Sequence, residues 1–146
     1  MNKISILLLT LIVFLNTSCA EKTRLASPDK AETITVIRKG AILYIINGSK
    51  NAVPDTNYVK LRMISVDLGS EIAICWQPEH LEWDLVADGT EILINKLDTT
   101  KYKFRTGFPL DGRGIPTPVR YYSGANCGSF STYSGKVFRN KGIIVE

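Results

Sequence analysis

From Thr33 to Val145 the apolar residues recur at every second position, in short runs rich in valine, isoleucine and aromatic side chains, with glycine, proline, asparagine and aspartate between the runs. A period of two places alternate side chains on opposite faces of a strand, and no stretch of this region sustains the 3.6-residue period of an amphipathic helix. Regular turn residues between such runs predict an all-β domain of about eight or nine short strands with little or no helix, folded as one small β-sandwich of immunoglobulin-like or transthyretin-like kind.

The individual runs can be placed. Thr33 to Arg38 and Ala41 to Asn47 read as a hairpin closed at Lys39-Gly40, and Asn51 to Asn57 is a loop around Pro54-Asp55. Tyr58 to Val66 alternates so that Val59, Leu61 and Met63 face one way and Tyr58, Lys60 and Arg62 the other. Glu71 to Trp76 is almost continuously apolar, as expected of a central strand covered on both sides, which makes Cys75 a core position. Trp83 to Ala87 and Thr90 to Leu97 flank Asp88-Gly89, the strongest hairpin signal in the chain. Strands are expected again at Lys101 to Phe104, Val119 to Ser123, Lys136 to Arg139 and Ile143 to Val145. Between them GFPLDGRGIPTP, Gly107 to Pro118, is too rich in glycine and proline for regular structure and forms the longest loop.

The first residues follow different rules. After Lys3 the chain is apolar from Ile4 to Leu15, too short to span a bilayer comfortably, and then small: Asn16-Thr17-Ser18-Cys19-Ala20. This is the layout of a secretory signal over residues 1–19. Thr17-Ser18-Cys19 resembles the end of a lipobox, with Asn16 where a large aliphatic residue is usual, so cleavage before an acylated Cys19 is expected; cleavage after Ala20 is the alternative. Residues 20–32 are polar and aperiodic around Pro28 and read as a flexible tether, leaving 33–146 as the domain. Without Lys3 the 18 basic residues of the 146-residue chain become 17, against 14 acidic. That excess is too mild and interspersed for a nucleic-acid footprint. Cys75 and Cys127 remain as an even pair in an oxidising compartment, and a disulfide between them is the expectation.

Catalytic signatures are scarce. There is no Gly-x-Ser-x-Gly elbow, Ser134-Gly135-Lys136 lacks the upstream glycine of a phosphate-binding loop, and two cysteines with the lone His80 match no metal frame. No cofactor is expected. Glu79, His80, Glu82 and Asp84 cluster in sequence, and Glu82 and Asp84 would share a strand face, but carboxylates beside a turn are usually solvated surface. Recognition has better candidates. Phe108, Leu110, Arg113 and Ile115 lie in a loop that a plain connection would not furnish so, with Tyr121 and Tyr122 following, and loops on rigid scaffolds carry binding disproportionately.

A lipobox-like signal, a polar segment and a compact β-domain opening with Ile34-Thr35-Val36-Ile37 and Ile42-Leu43-Tyr44-Ile45 resemble the small periplasmic immunity lipoproteins that protect bacteria against type VI secretion effectors. The resemblance lies in layout. It implies a non-enzymatic protein that binds a cognate toxin in the periplasm and occludes its active site, and it transfers no site residues; separately, Ala20 rather than an aspartate after an acylated Cys19 leads to the expectation of anchoring at the outer membrane, facing the periplasm. An accessory lipoprotein of a secretion or pilus assembly, using an exposed strand edge, is the second expectation, and a hydrolase built on the Glu79 to Asp84 group the third.

Overall fold

A computed structural model describes residues 20–64, 71–131 and 137–146. The expected signal with Cys19, the end of the third expected strand at Val66, and Ser134-Gly135-Lys136 lie outside the described residues.

Two antiparallel strands, β2 (Thr33–Lys39) and β3 (Ile42–Asn47), form the expected hairpin, turning at Gly40 with Lys39 opposite Ile42. β4 (Tyr58–Met63) pairs with β3 on one side and β7 (Thr90–Asn95) on the other, while β1 (Glu21–Ala26) pairs with β2 and with the two-residue β11 (Ile144–Val145). These six make one sheet, in the order β11-β1-β2-β3-β4-β7. The second sheet holds β5 (Glu71–Gln77), β6 (Glu82–Ala87), β8 (Tyr102–Arg105), β9 (Cys127–Ser131) and β10 (Val137–Lys141), in the order β10-β9-β5-β6-β8.

The sequence alternation decides which side chains meet between the sheets. Leu25, Ile34, Leu43, Ile45 and Leu61 of the first sheet pack with Ile72, Ile74, Trp83, Leu85 and Phe130 of the second in one buried cluster. Each full burial of an isoleucine or leucine contributes about 1.5–3 kcal/mol, so this layer holds the sandwich together. Trp76 and Trp83, paired across β5 and β6, tilt together at 5.0 Å in its midst. The outer faces are partly covered as well. Ile37, Ile46 and Tyr58 cluster on the outside of the six-stranded sheet beneath Val53, and Ala73, Cys75, Val86, Tyr121 and Cys127 on the outside of the five-stranded one. The all-β sandwich is therefore as the alternation requires, with β5 covered on both faces.

Four local expectations are corrected. Glu21 to Ala26 belongs to the sheet rather than to a tether: Leu25 and Ala26 are buried between β2 and β11, which outweighs the polar character of the other four residues. Cys127 to Ser131, where no strand is expected, forms β9 because it fills the place beside β5. Pro118–Ser123 is a six-residue helix, α1, in place of the expected strand; Pro118 supplies a preset φ and lacks an N–H that a first turn would leave unpaired. Finally, Asp88-Gly89 does not close a hairpin. Gly89 has a φ of +69°, as the turn demands, but β6 stays in one sheet and β7 crosses to the other. The vacated side of β6 is taken by β8, running parallel to it with Trp83 opposite Tyr102.

Candidate binding hairpin and the polar cluster beneath it

The outer face of the five-stranded sheet carries the residues that sequence singled out. Within the long loop, Leu110 and Pro116 form an antiparallel bridge and Asp111 N–H donates to the Ile115 carbonyl at 2.8 Å, so residues 109–117 fold back on themselves as a miniature hairpin. Asp111 is its hub. Its Oδ1 accepts from the amides of Arg113 (2.8 Å) and Ile115 (3.0 Å), and its Oδ2 accepts from Arg113 Nη2 at 3.1 Å. Those amides, Ile115 first and Arg113 second, hold the Asp111 carboxyl below the usual carboxylate range. Gly114, with φ +78°, allows the return, and Thr117 closes the base by donating both N–H and Oγ1 to the Pro109 carbonyl. The Asp-Gly-Arg-Gly composition is the signal from which this Asx-type bracing could have been read.

Bracing fixes what the hairpin shows to solvent. Leu110 is 63% exposed, Ile115 51%, and the Arg113 side chain 80%, so two aliphatic groups and a guanidinium share one rigid tip. Phe108 and Tyr121 take a different part. Phe108 is half-buried against the Cys75–Cys127 cluster with its ring 5.6 Å from that of Tyr121, and Tyr121 is fully buried, so it supports the loop from beneath and reaches no surface. The side chain of Tyr122 lies outside the described residues. The expected binding set thus separates into an exposed tip of Leu110, Arg113 and Ile115 and a foundation of Phe108 and Tyr121.

The foundation is cross-linked and charged. Cys75 and Cys127 sit opposite each other on β5 and β9 and form the expected disulfide, with S–S 2.06 Å. Next to Cys75 on β6, Asp84 accepts hydrogen bonds from Tyr121 Oη (2.9 Å) and Arg105 Nη2 (3.0 Å). Two residues away on the same face, Glu82 is ion-paired with Lys103. Glu82 and Asp84 do share a face, but both are buried and paired rather than solvated, while Glu79 and His80 stand exposed in the preceding turn. Parallel β8 is what brings Lys103 and Arg105 to them, and nothing local in sequence announces a parallel partner. Among the described residues, no group of three or more histidine, cysteine, aspartate or glutamate side chains is arranged to hold a metal.

No family model, curated protein or solved structure matches this chain. The chemistry of the site is read from its own residues: a preorganised tip, apolar with one guanidinium, on a base fixed by a disulfide and a buried ion pair. A tip of this kind suits insertion into a concave, partly apolar surface of another protein.

Proposed function

We propose that this protein is a non-enzymatic periplasmic immunity protein, held at the outer membrane through acylated Cys19, that binds a secreted antibacterial toxin and blocks its active site with the 109–117 hairpin. The observation that carries the reading is the bracing of that hairpin by Asp111 while Leu110, Arg113 and Ile115 stay exposed. A tip ordered before binding loses little conformational freedom on docking, and the central hot spots of tight interfaces combine large apolar groups with arginine. The layout of the chain, an export signal directly before a compact β-domain, is consistent with that role.

Deleting the gene should sensitise the cell to a toxin delivered by neighbouring cells, and the tagged protein should retrieve that toxin from the periplasm. Leu110→Asp with Ile115→Asp should abolish both retrieval and protection while leaving the thermal transition in place. Unchanged sensitivity together with no retrieved toxin would sink the proposal.

A second reading has its own support. Among the described residues β7 has a strand on only one side, and that edge strand carries Ile92, 39% exposed, beside Leu93 and Ile94. A partner strand added there would suit an accessory subunit of an envelope assembly. Loss of secretion or pilus assembly on deletion, with toxin sensitivity unchanged, would select it over the first.

A further inference from the structure

We propose that the outer face of the six-stranded sheet docks the domain on an anionic phospholipid surface. Lys22, Arg24, Lys39, Lys60, Arg62 and Lys96 gather on this face or its rim, against the carboxylates of Asp55 and Glu91. The resulting excess is as large as the formal net charge of the whole chain, +4.

The partners of these cations decide how much of that charge is felt outside. Lys22 Nζ and Arg24 Nη2 each donate at 2.8 Å to Asn51 Oδ1, a neutral amide. Lys39 and Lys60 hold their ammonium groups 5.9 Å from the centre of the Tyr44 ring, and Lys96 lies 5.7 Å from that of Tyr58 while donating to the Asp55 carbonyl oxygen. Among the described residues, Arg62 alone of the six has a carboxylate partner, Glu91 at 3.3 Å. Five cations are therefore positioned without being neutralised. On the opposite face Lys103, Arg105 and Arg113 are each paired with a carboxylate, and Lys141 donates to the Ser123 carbonyl oxygen. On the basic face half-buried Tyr44 lies among Lys39 and Lys60, a combination suited to the headgroup layer.

The position of β1 gives the membrane as the occupant. Lys22 follows Cys19 by three residues, which in extended chain is about 10 Å. An acyl group on Cys19 would hold the basic face about one Debye length or less from the headgroups. Docked so, the sandwich turns the 109–117 hairpin away from the bilayer, toward incoming protein. This orientation rests on the acylated reading; the binding of headgroups by the face does not.

The test uses the chain from Ala20 to Glu146, without acyl group, sedimented with vesicles of mixed phosphatidylglycerol and phosphatidylethanolamine or of phosphatidylcholine alone. It should sediment with the anionic vesicles only and be released by salt. Lys39→Gln with Lys60→Gln should weaken binding about thirtyfold, while Lys101→Gln, away from the face, should leave it near the parent value. Circular dichroism of the variants confirms that charge and not unfolding is responsible. Failure to sediment, equal sedimentation with both vesicles, an equal loss from Lys101→Gln, or capture by soluble polyphosphate in preference to vesicles would each overturn the proposal. No toxin enters this assay, so its failure leaves toxin neutralisation standing, and loss of protection in cells leaves membrane docking standing.

Discussion

The Tyr121 hydroxyl of helix α1 reaches across to Asp84 on β6 and donates a 2.9 Å hydrogen bond to its buried carboxylate, which Arg105 engages from β8. This contact fastens the only helix among the described residues to the sheet and thereby fixes the base of the hairpin. Asp84→Ala leaves the phenol and the guanidinium without their acceptor, at a cost of about 2–3 kcal/mol, read as a fall in the thermal midpoint. Tyr121→Phe keeps the ring on Phe108 and should cost about 1 kcal/mol. Equal stability of Asp84→Ala and parent would show that the cluster does not hold the helix.

Cys75–Cys127 closes a segment separated by 52 residues. In the chain-entropy account such a loop contributes about 4 kcal/mol, so Cys75→Ala with Cys127→Ala, or reduction with dithiothreitol, should lower the denaturation midpoint by a corresponding amount. Because Phe108 and Tyr121 rest on this bridge, hydrogen exchange should speed up in residues 108–123 before it does in β2 and β3.

Asp111→Ala removes the acceptor for the amides of Arg113 and Ile115, and hydrogen exchange at those two positions should quicken while the sandwich keeps its midpoint. Acid should act in the same way. The carboxyl is held below its unfolded value, so its contribution to loop order is full above the ordinary carboxylate range, about pH 4, and is lost as pH falls through the folded value. Slow exchange of Ile115 N–H that persists after Asp111 has been protonated in the folded protein would contradict this.

Tyr102 behaves oppositely. Burial pushes its phenol far above the ordinary range, with the Glu32 and Asp98 carboxylates adding to the effect, and its buried hydroxyl has no hydrogen-bond partner among the described residues. Above about pH 10 the unfolded chain releases a proton that the folded one keeps, so stability falls as pH rises. Tyr102→Phe removes an unpaired polar group, and should be neutral or stabilising by about 1 kcal/mol and flatten that alkaline loss. Denaturant titrations at neutral and alkaline pH measure both.

What sequence could and could not tell follows from where each signal resides. Val59, Leu61 and Met63 were legible because one face of β4 meets the core and the other carries Lys60 and Arg62, so burial is written into the alternation. β1 was not, since only Leu25 and Ala26 are buried and its neighbours are β2 and the far end of the chain. α1 carries valine and two tyrosines, residues that fit a strand, and Pro118 alone hints otherwise. Asp88-Gly89 encodes the turn but not the sheet to which the next strand goes. At the site, the loop and its exposed Leu110, Arg113 and Ile115 could be singled out from composition, whereas the burial of Tyr121 and the pairing of Glu82 and Asp84 depend on β8 lying parallel to β6.

Leu25 stands opposite Val145, so β1 finds one of its two neighbours in a strand far along the sequence. Until that strand pairs, one edge of β1 stays unsatisfied however well β2 and β3 have paired, and the six-stranded sheet cannot be completed piecemeal. The sheet thus closes on a contact between residues some 120 positions apart, the slowest kind to form, so its completion waits on the sequence-distant partner while local hairpins form early.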